Sequence, residues 1–113
     1  MEYNVEMTRG ITIVTPACSH IDATNYKILQ KALEDSLEST NDLLLDMQEV
    51  DFIDSTGIGE LLVIRKKVQA TNGQFRICGI NNSVRESFEL VHLHNIIPLY
   101  ETRQIAMAEP GIT

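Results

Sequence analysis

Tyr3 to Thr8 alternates apolar and polar residues, and Gly10 to Thr15 is rich in Ile, Val and Thr. Both segments read as strands, and Arg9-Gly10 between them supplies the tight connection of a hairpin. Pro16 lacks the N–H a ladder needs and is expected to end the second strand. Ala17 to Ile21 then reads as a loop that delivers Asp22 as a helix N-cap. From Ala23 to Glu38 the apolar residues Tyr26, Leu29, Ala32, Leu33 and Leu37 form one face and Lys27, Lys31, Glu34 and Asp35 the other, the pattern of an amphipathic helix.

After the polar break Ser39-Thr40-Asn41-Asp42, the run from Leu43 to Met47 has the continuous apolar character of a strand covered on both faces. A second helix follows the Ser55 turn, with Ile58, Leu61, Leu62, Ile64 and Val68 at helical spacing and a stop at Asn72-Gly73. Gln74 to Ile80 reads as a strand. The next helix opens at Asn81-Asn82-Ser83, where Ser83 and Glu86 have capping-box spacing and Val84, Phe88 and Val91 supply the buried stripe. Ile96 to Tyr100 gives a last strand, and a short helix runs from about Thr102 to Ala108. The order after the hairpin demands right-handed crossovers, so the expected fold is α/β, with a mixed, mainly parallel sheet and about four helices packed on it.

A length of 113 residues suits one domain, with a core from about residue 3 to 108 and a frayed tail at 109–113. The net charge of −7 argues against nucleic-acid binding and favours a basic partner surface. Cys18 and Cys78 are far apart and lack a metal-ligand pattern, so reduced thiols in a cytosolic core are expected. No apolar run approaches the length of a membrane span, and no basic region precedes an apolar stretch at the start, so a soluble intracellular protein is expected.

The chemistry concentrates in Val50-Asp51-Phe52-Ile53-Asp54-Ser55-Thr56-Gly57-Ile58-Gly59, which sets a hydroxyl pair between a buried strand and a helix start. Ser55 and Thr56 suit two roles. Either can cap the helix by accepting an orphan backbone N–H, worth about 1 kcal/mol. Either can also accept a phosphoryl group, whose charge of about −2 a helix N-terminus tolerates while the surface around it gains negative charge and bulk. Gly57 and Gly59 favour close backbone approach, but no third glycine and no following lysine complete a nucleotide loop. Asp22, Asp51 and Asp54 read as solvated loop acids and caps. His92 and His94 do not align on a helix and have no companion ligands, and His20 lies in a loop where it can touch a partner. No G-x-S-x-G elbow surrounds Ser55. No catalytic residue, metal site or cofactor is assigned.

The segment from Val50 to Gly59, with Asp54-Ser55-Thr56-Gly57-Ile58-Gly59 as its signature, resembles the STAS domain family, and among its members the stand-alone anti-sigma factor antagonists of bacteria. The resemblance runs from about Tyr3 to Ala108. Ser19-His20-Ile21-Asp22 sits where the family has a Gly-x-Leu-Asp loop, and Gly73 sits at the expected helix end. It implies a STAS-like sheet and a non-enzymatic switch protein of the cytoplasm. Unphosphorylated, such a protein binds an anti-sigma factor that is itself a serine kinase with a histidine-kinase-like ATPase fold; phosphorylation releases it, and a metal-dependent serine phosphatase restores binding. By the match Ser55 is the acceptor, with Thr56 second. Asp22, Asp54, Ser55, Thr56, Gly57 and Ile58 form the partner-binding face, without nucleic acid or membrane. Two residues depart from the family pattern: Ser19 replaces the usual loop glycine, and His92 falls near a position that is often Gly. The alternative within the family is a scaffold in a sensory complex or an accessory subunit of a transporter, in which Ser55 is unmodified.

Overall fold

The computed structural model describes residues 1–108; the expected tail at 109–113 lies outside the described residues. Strands β1 (Glu2–Thr8) and β2 (Ile11–Ala17) form the hairpin, turning at Arg9 and Gly10, both with positive φ. Then come β3 (His20–Ile21), α1 (Tyr26–Ser36), β4 (Asp42–Asp46), β5 (Phe52–Ile53), α2 (Ser55–Ala70), β6 (Gln74–Cys78), α3 (Asn82–Leu90), a single 3-10 turn (Leu93–Asn95), β7 (Leu99–Tyr100) and α4 (Arg103–Ala108). The main sheet has the order β1-β2-β4-β6-β7, antiparallel only in the hairpin. The mixed, mainly parallel α/β architecture is thus as the sequence pattern predicts.

Leu43, Leu44 and Leu45 are all fully buried because β4 runs down the centre of the sheet. Leu43 and Leu45 join the large core beneath α1, α2 and α3, with Leu29, Leu33, Leu61, Ile64 and Phe88. Leu44 belongs to a smaller cluster on the other face, with Ile11, Ile13, Cys78 and Ala106 of α4. Two arginines hold α4 there. Arg103 donates to Asp46 Oδ2 at 3.0 Å and to Thr15 Oγ1 at 3.0 Å and pairs with Glu6; Arg76, itself buried, donates to the Ala106 carbonyl at 2.8 Å. Burial, and then the Asp46 carboxylate, push the Cys78 thiol up to about 12, and both cysteines are free.

Several boundaries differ from the sequence expectation. Pro16 does not end β2, since it stands opposite Tyr3 at a site that needs no N–H toward the partner strand. Asp22 does not cap α1, which starts at Tyr26 behind Asn25; its carboxylate accepts instead from Thr24 in the preceding turn. The cap of α3 is Asn81, accepting the Val84 N–H at 2.8 Å, so Ser83 lies inside the helix and has no capping role. Val91 is half exposed, at the helix end rather than on its buried stripe. The last strand shortens to two residues, because the turn at Leu93–Asn95 takes up the chain before it.

Candidate functional site

The segment from Ala17 to Ile21, expected to be all loop, contains β3, which pairs in parallel with β5: His20 opposite Phe52 and Ile21 opposite Ile53. This small ladder is tightened at its start, where the Asp51 N–H donates to the Ser19 carbonyl at 2.7 Å, and at its end, where the Asp54 N–H donates to the Ile21 carbonyl at 3.0 Å. Two loops some thirty residues apart in sequence are thereby zipped together. Ile21 and Ile53 point inward and are buried, while His20 and Phe52 face solvent, Phe52 being 51% exposed.

Asp54 is the pivot. Its backbone is extended at φ −93 and ψ −178, the conformation of an N-cap, and its Oδ1 accepts the Gly57 N–H at 3.0 Å. Its Oδ2 accepts the Ala23 N–H at 3.3 Å, reaching across to the other loop. Capping therefore belongs to Asp54, and neither Ser55 nor Thr56 performs it. Ser55 is the first residue of α2, exposed, and its hydroxyl makes no hydrogen bond among the described residues. Thr56 is partly covered. The orphan N–H groups and the positive end of the helix dipole lie at this turn.

Asp22 follows β3 directly, so it is held beside Asp54 by the bonds to Ile21 and Ala23 on either side of it. Its Oδ1 accepts the Thr24 N–H at 2.9 Å and the Thr24 hydroxyl, its N–H donates to Asn25 Oδ1 at 2.9 Å, and its Oδ2 stands 3.5 Å from His20 Nε2. The hydrogen bonds from Thr24 hold the Asp22 carboxyl below the usual carboxylate range. Asp51 lies outside this pair, 3.4 Å from Asn81 Nδ2.

The two glycines of the signature differ. A Cβ on Gly57 would stand 2.7 Å from Ile53 Cγ1 and 2.9 Å from Ile21 Cγ2, so the start of α2 rests directly on the β3–β5 ladder. A Cβ on Gly59 would meet nothing within 4 Å, and no close approach explains that glycine. Gly57 and Ile58 are buried. Of the six residues expected on the partner-binding face, these two shape it from beneath, while Asp22, Asp54, Ser55 and Thr56 reach the surface. Phe52 joins them there. Its place in the signature gave no sign that it would face outward, because a two-residue strand has no periodicity to read.

Among the described residues no group of His, Cys, Asp and Glu is placed to hold a metal ion, and no helix is long and apolar enough to cross a membrane. The site is an exposed hydroxyl flanked by two anchored carboxylates and an exposed aromatic ring.

Comparison with known proteins agrees with the fold described above. The STAS domain family matches residues 2–106. The anti-sigma F factor antagonist of Paenibacillus polymyxa is 22% identical over 111 residues, covering 96% of this chain and 94% of the relative. The crystal structure of an anti-sigma factor antagonist from Mycobacterium paratuberculosis superposes with a TM-score of 0.85 at 25% identity, over 94% of this chain and 90% of that one. The Bacillus cell fate determinant SpoIIAA in its phosphorylated form shares the fold, with a TM-score of 0.71 at 16% identity over 94% and 96% of the two chains.

Proposed function

We propose that this chain, which belongs to the STAS domain family, acts as an anti-sigma factor antagonist whose binding is switched by phosphorylation of Ser55. The observation that carries the reading is the division of labour at the start of α2: Asp54 caps the helix and ties the loops, which leaves the Ser55 hydroxyl exposed and without a structural bond. A group at that position can be modified without removing an interaction the fold needs. Added phosphate brings about two negative charges to a turn already carrying Asp22 and Asp54, while the helix dipole limits the cost within the domain. The penalty falls on a docked partner, which meets new bulk and altered charge.

In this reading the unphosphorylated face made by Asp22, Asp54, Ser55 and Thr56, with Phe52 and His20 beside them, binds an anti-sigma factor that is a serine kinase of histidine-kinase-like ATPase fold. A metal-dependent serine phosphatase resets the switch. The protein is a binding component of the cytoplasm rather than an enzyme. Ser55 is preferred over Thr56 as acceptor because it is the more exposed hydroxyl. The relative solved in a phosphorylated form supports the view that this fold accommodates the modification.

The test is intact-mass measurement after incubation with ATP and the cognate kinase, with fragmentation to place the added phosphoryl group. Addition on Ser55, abolished in Ser55→Ala, supports the switch; no addition, or addition elsewhere, overturns it. Ser55→Asp should weaken the complex by more than about 1.4 kcal/mol, tenfold in affinity. Its folding stability should stay within about 0.5 kcal/mol of the parent, since the Asp54 cap is untouched.

A further inference from the structure

The sheet ends at β1, and nothing in the described chain pairs with its outer edge. The hairpin fixes which backbone groups look outward. Thr8 and Ile11 close a two-residue turn with positive φ at Arg9 and Gly10, so they form a hydrogen-bonded pair, as do Glu6 with Ile13, Asn4 with Thr15 and Glu2 with Ala17 at every second position. Pro16 opposite Tyr3, with no N–H to exchange, agrees with this phase. Tyr3, Val5 and Met7 are therefore the residues whose N–H and C=O groups point away from β2. Their side chains are also exposed, at 40%, 46% and 56%, along a groove of about 340 Å³ shared with Ala32, Ser36 and Ser39. The strand is seven residues long, and its register with β2 is unbroken. It carries no proline, lysine or bulge, and of the usual protections of an edge only the charges of Glu2 and Glu6 are present.

We propose that β1 is a self-association edge, at which a second copy of this chain pairs antiparallel about a two-fold axis through Val5. In that register Val5 faces Val5, and Tyr3 faces Met7 twice, so every outward N–H and C=O of the three residues finds a partner. The apolar side chains of both copies then lie on one face of a continuous sheet. Charge selects this register. The intervening pairs are Asn4 with Glu6 and Glu2 with Thr8, with no acid opposite an acid. Sliding by two residues, the smallest shift that keeps the same groups facing, places Glu2 opposite Glu6 in one direction and Glu6 opposite Glu6 in the other, both repulsive. Glu6 is already ion-paired with Arg103 within its own domain, which lowers its cost in the favoured register. The contact is isologous, as a closed dimer requires. It is built from one strand per copy, so it belongs to the weak class of interfaces.

Sedimentation velocity from about 10 µM to about 1 mM, the range that brackets a weak interface, tests the assembly. A dimer fraction rising with concentration, and lost in Val5→Lys, is expected; a monomer throughout, or a dimer that survives Val5→Lys, overturns the proposal. Cross-linking tests the register independently. In a Cys18→Ser background, Val5→Cys should form a disulfide dimer under mild oxidation, since facing residues of a hydrogen-bonded pair lie about 5.5 Å apart. Met7→Cys should not, because the two copies of Met7 are separated by four residues, roughly 13 Å along the strand. Cross-linking through position 7 and not 5, or through neither, would exclude the register.

Discussion

Asp54 and Ala23 are joined by a hydrogen bond of 3.3 Å across 31 residues of sequence, and through it the cap of α2 also fixes the loop that carries Asp22. The same carboxylate accepts the Gly57 N–H, so one side chain performs two tasks with its two oxygens.

Asp54→Ala removes both bonds and should lower stability by about 1–2 kcal/mol in urea unfolding, an N-cap loss with a loop tether added. Asp54→Asn keeps an acceptor for Gly57 and should lose less than half as much. Equal losses in the two variants would show that charge, rather than the cap, is what matters.

The signature glycines should respond in opposite directions. Gly57→Ala forces a methyl into Ile53 and Ile21 and should cost about 1–3 kcal/mol, with partner binding weakened as the start of α2 shifts. Gly59→Ala, which adds a methyl into open space inside a helix, should stabilise by about 0.5–1 kcal/mol. Chemical denaturation of the two variants side by side gives the comparison.

Glu60 is buried between α1 and α2, with Oε2 accepting from Gln30 at 3.2 Å and Oε1 unpartnered. Burial first, and the Glu34 carboxylate second, push its carboxyl up, against smaller effects of Lys67 and the Gln30 bond. A raised folded-state value means that the folded chain holds the proton more tightly than the unfolded one. This contribution to stability is present below the unfolded value and is lost as pH rises through the folded one. Glu60→Gln should therefore match the parent in acid and exceed it at neutral pH by about 1 kcal/mol. Thermal unfolding between about pH 4 and pH 7.5, spanning the carboxylate range, checks the sign.

His92 sits in the left-handed region at φ 58 and ψ 30. A side chain there costs about 1–2 kcal/mol, partly offset because glycine has more unfolded-state entropy to lose. His92→Gly should raise stability by up to about 1 kcal/mol in urea unfolding. A loss would mean that the imidazole makes a compensating contact.

By itself the chain specified the hairpin, the central leucine strand, the helix stripes and the strand-to-helix corner holding Ser55, because each is a local pattern of apolar spacing and turn residues that any window of sequence displays. The signature and its loop were likewise legible as a family resemblance. Tertiary structure alone decided that the stretch before Asp22 forms a strand with Phe52–Ile53, since a two-residue ladder has no period and exists only through its partner. It also decided that the cap falls to Asp54 and not to the hydroxyls beside it, a choice made by the extended backbone of Asp54 and by the nearness of Ala23. Gly57 and Gly59 look alike in a string of letters; only the packing of Ile21 and Ile53 beneath one of them separates a glycine the fold requires from one it merely contains.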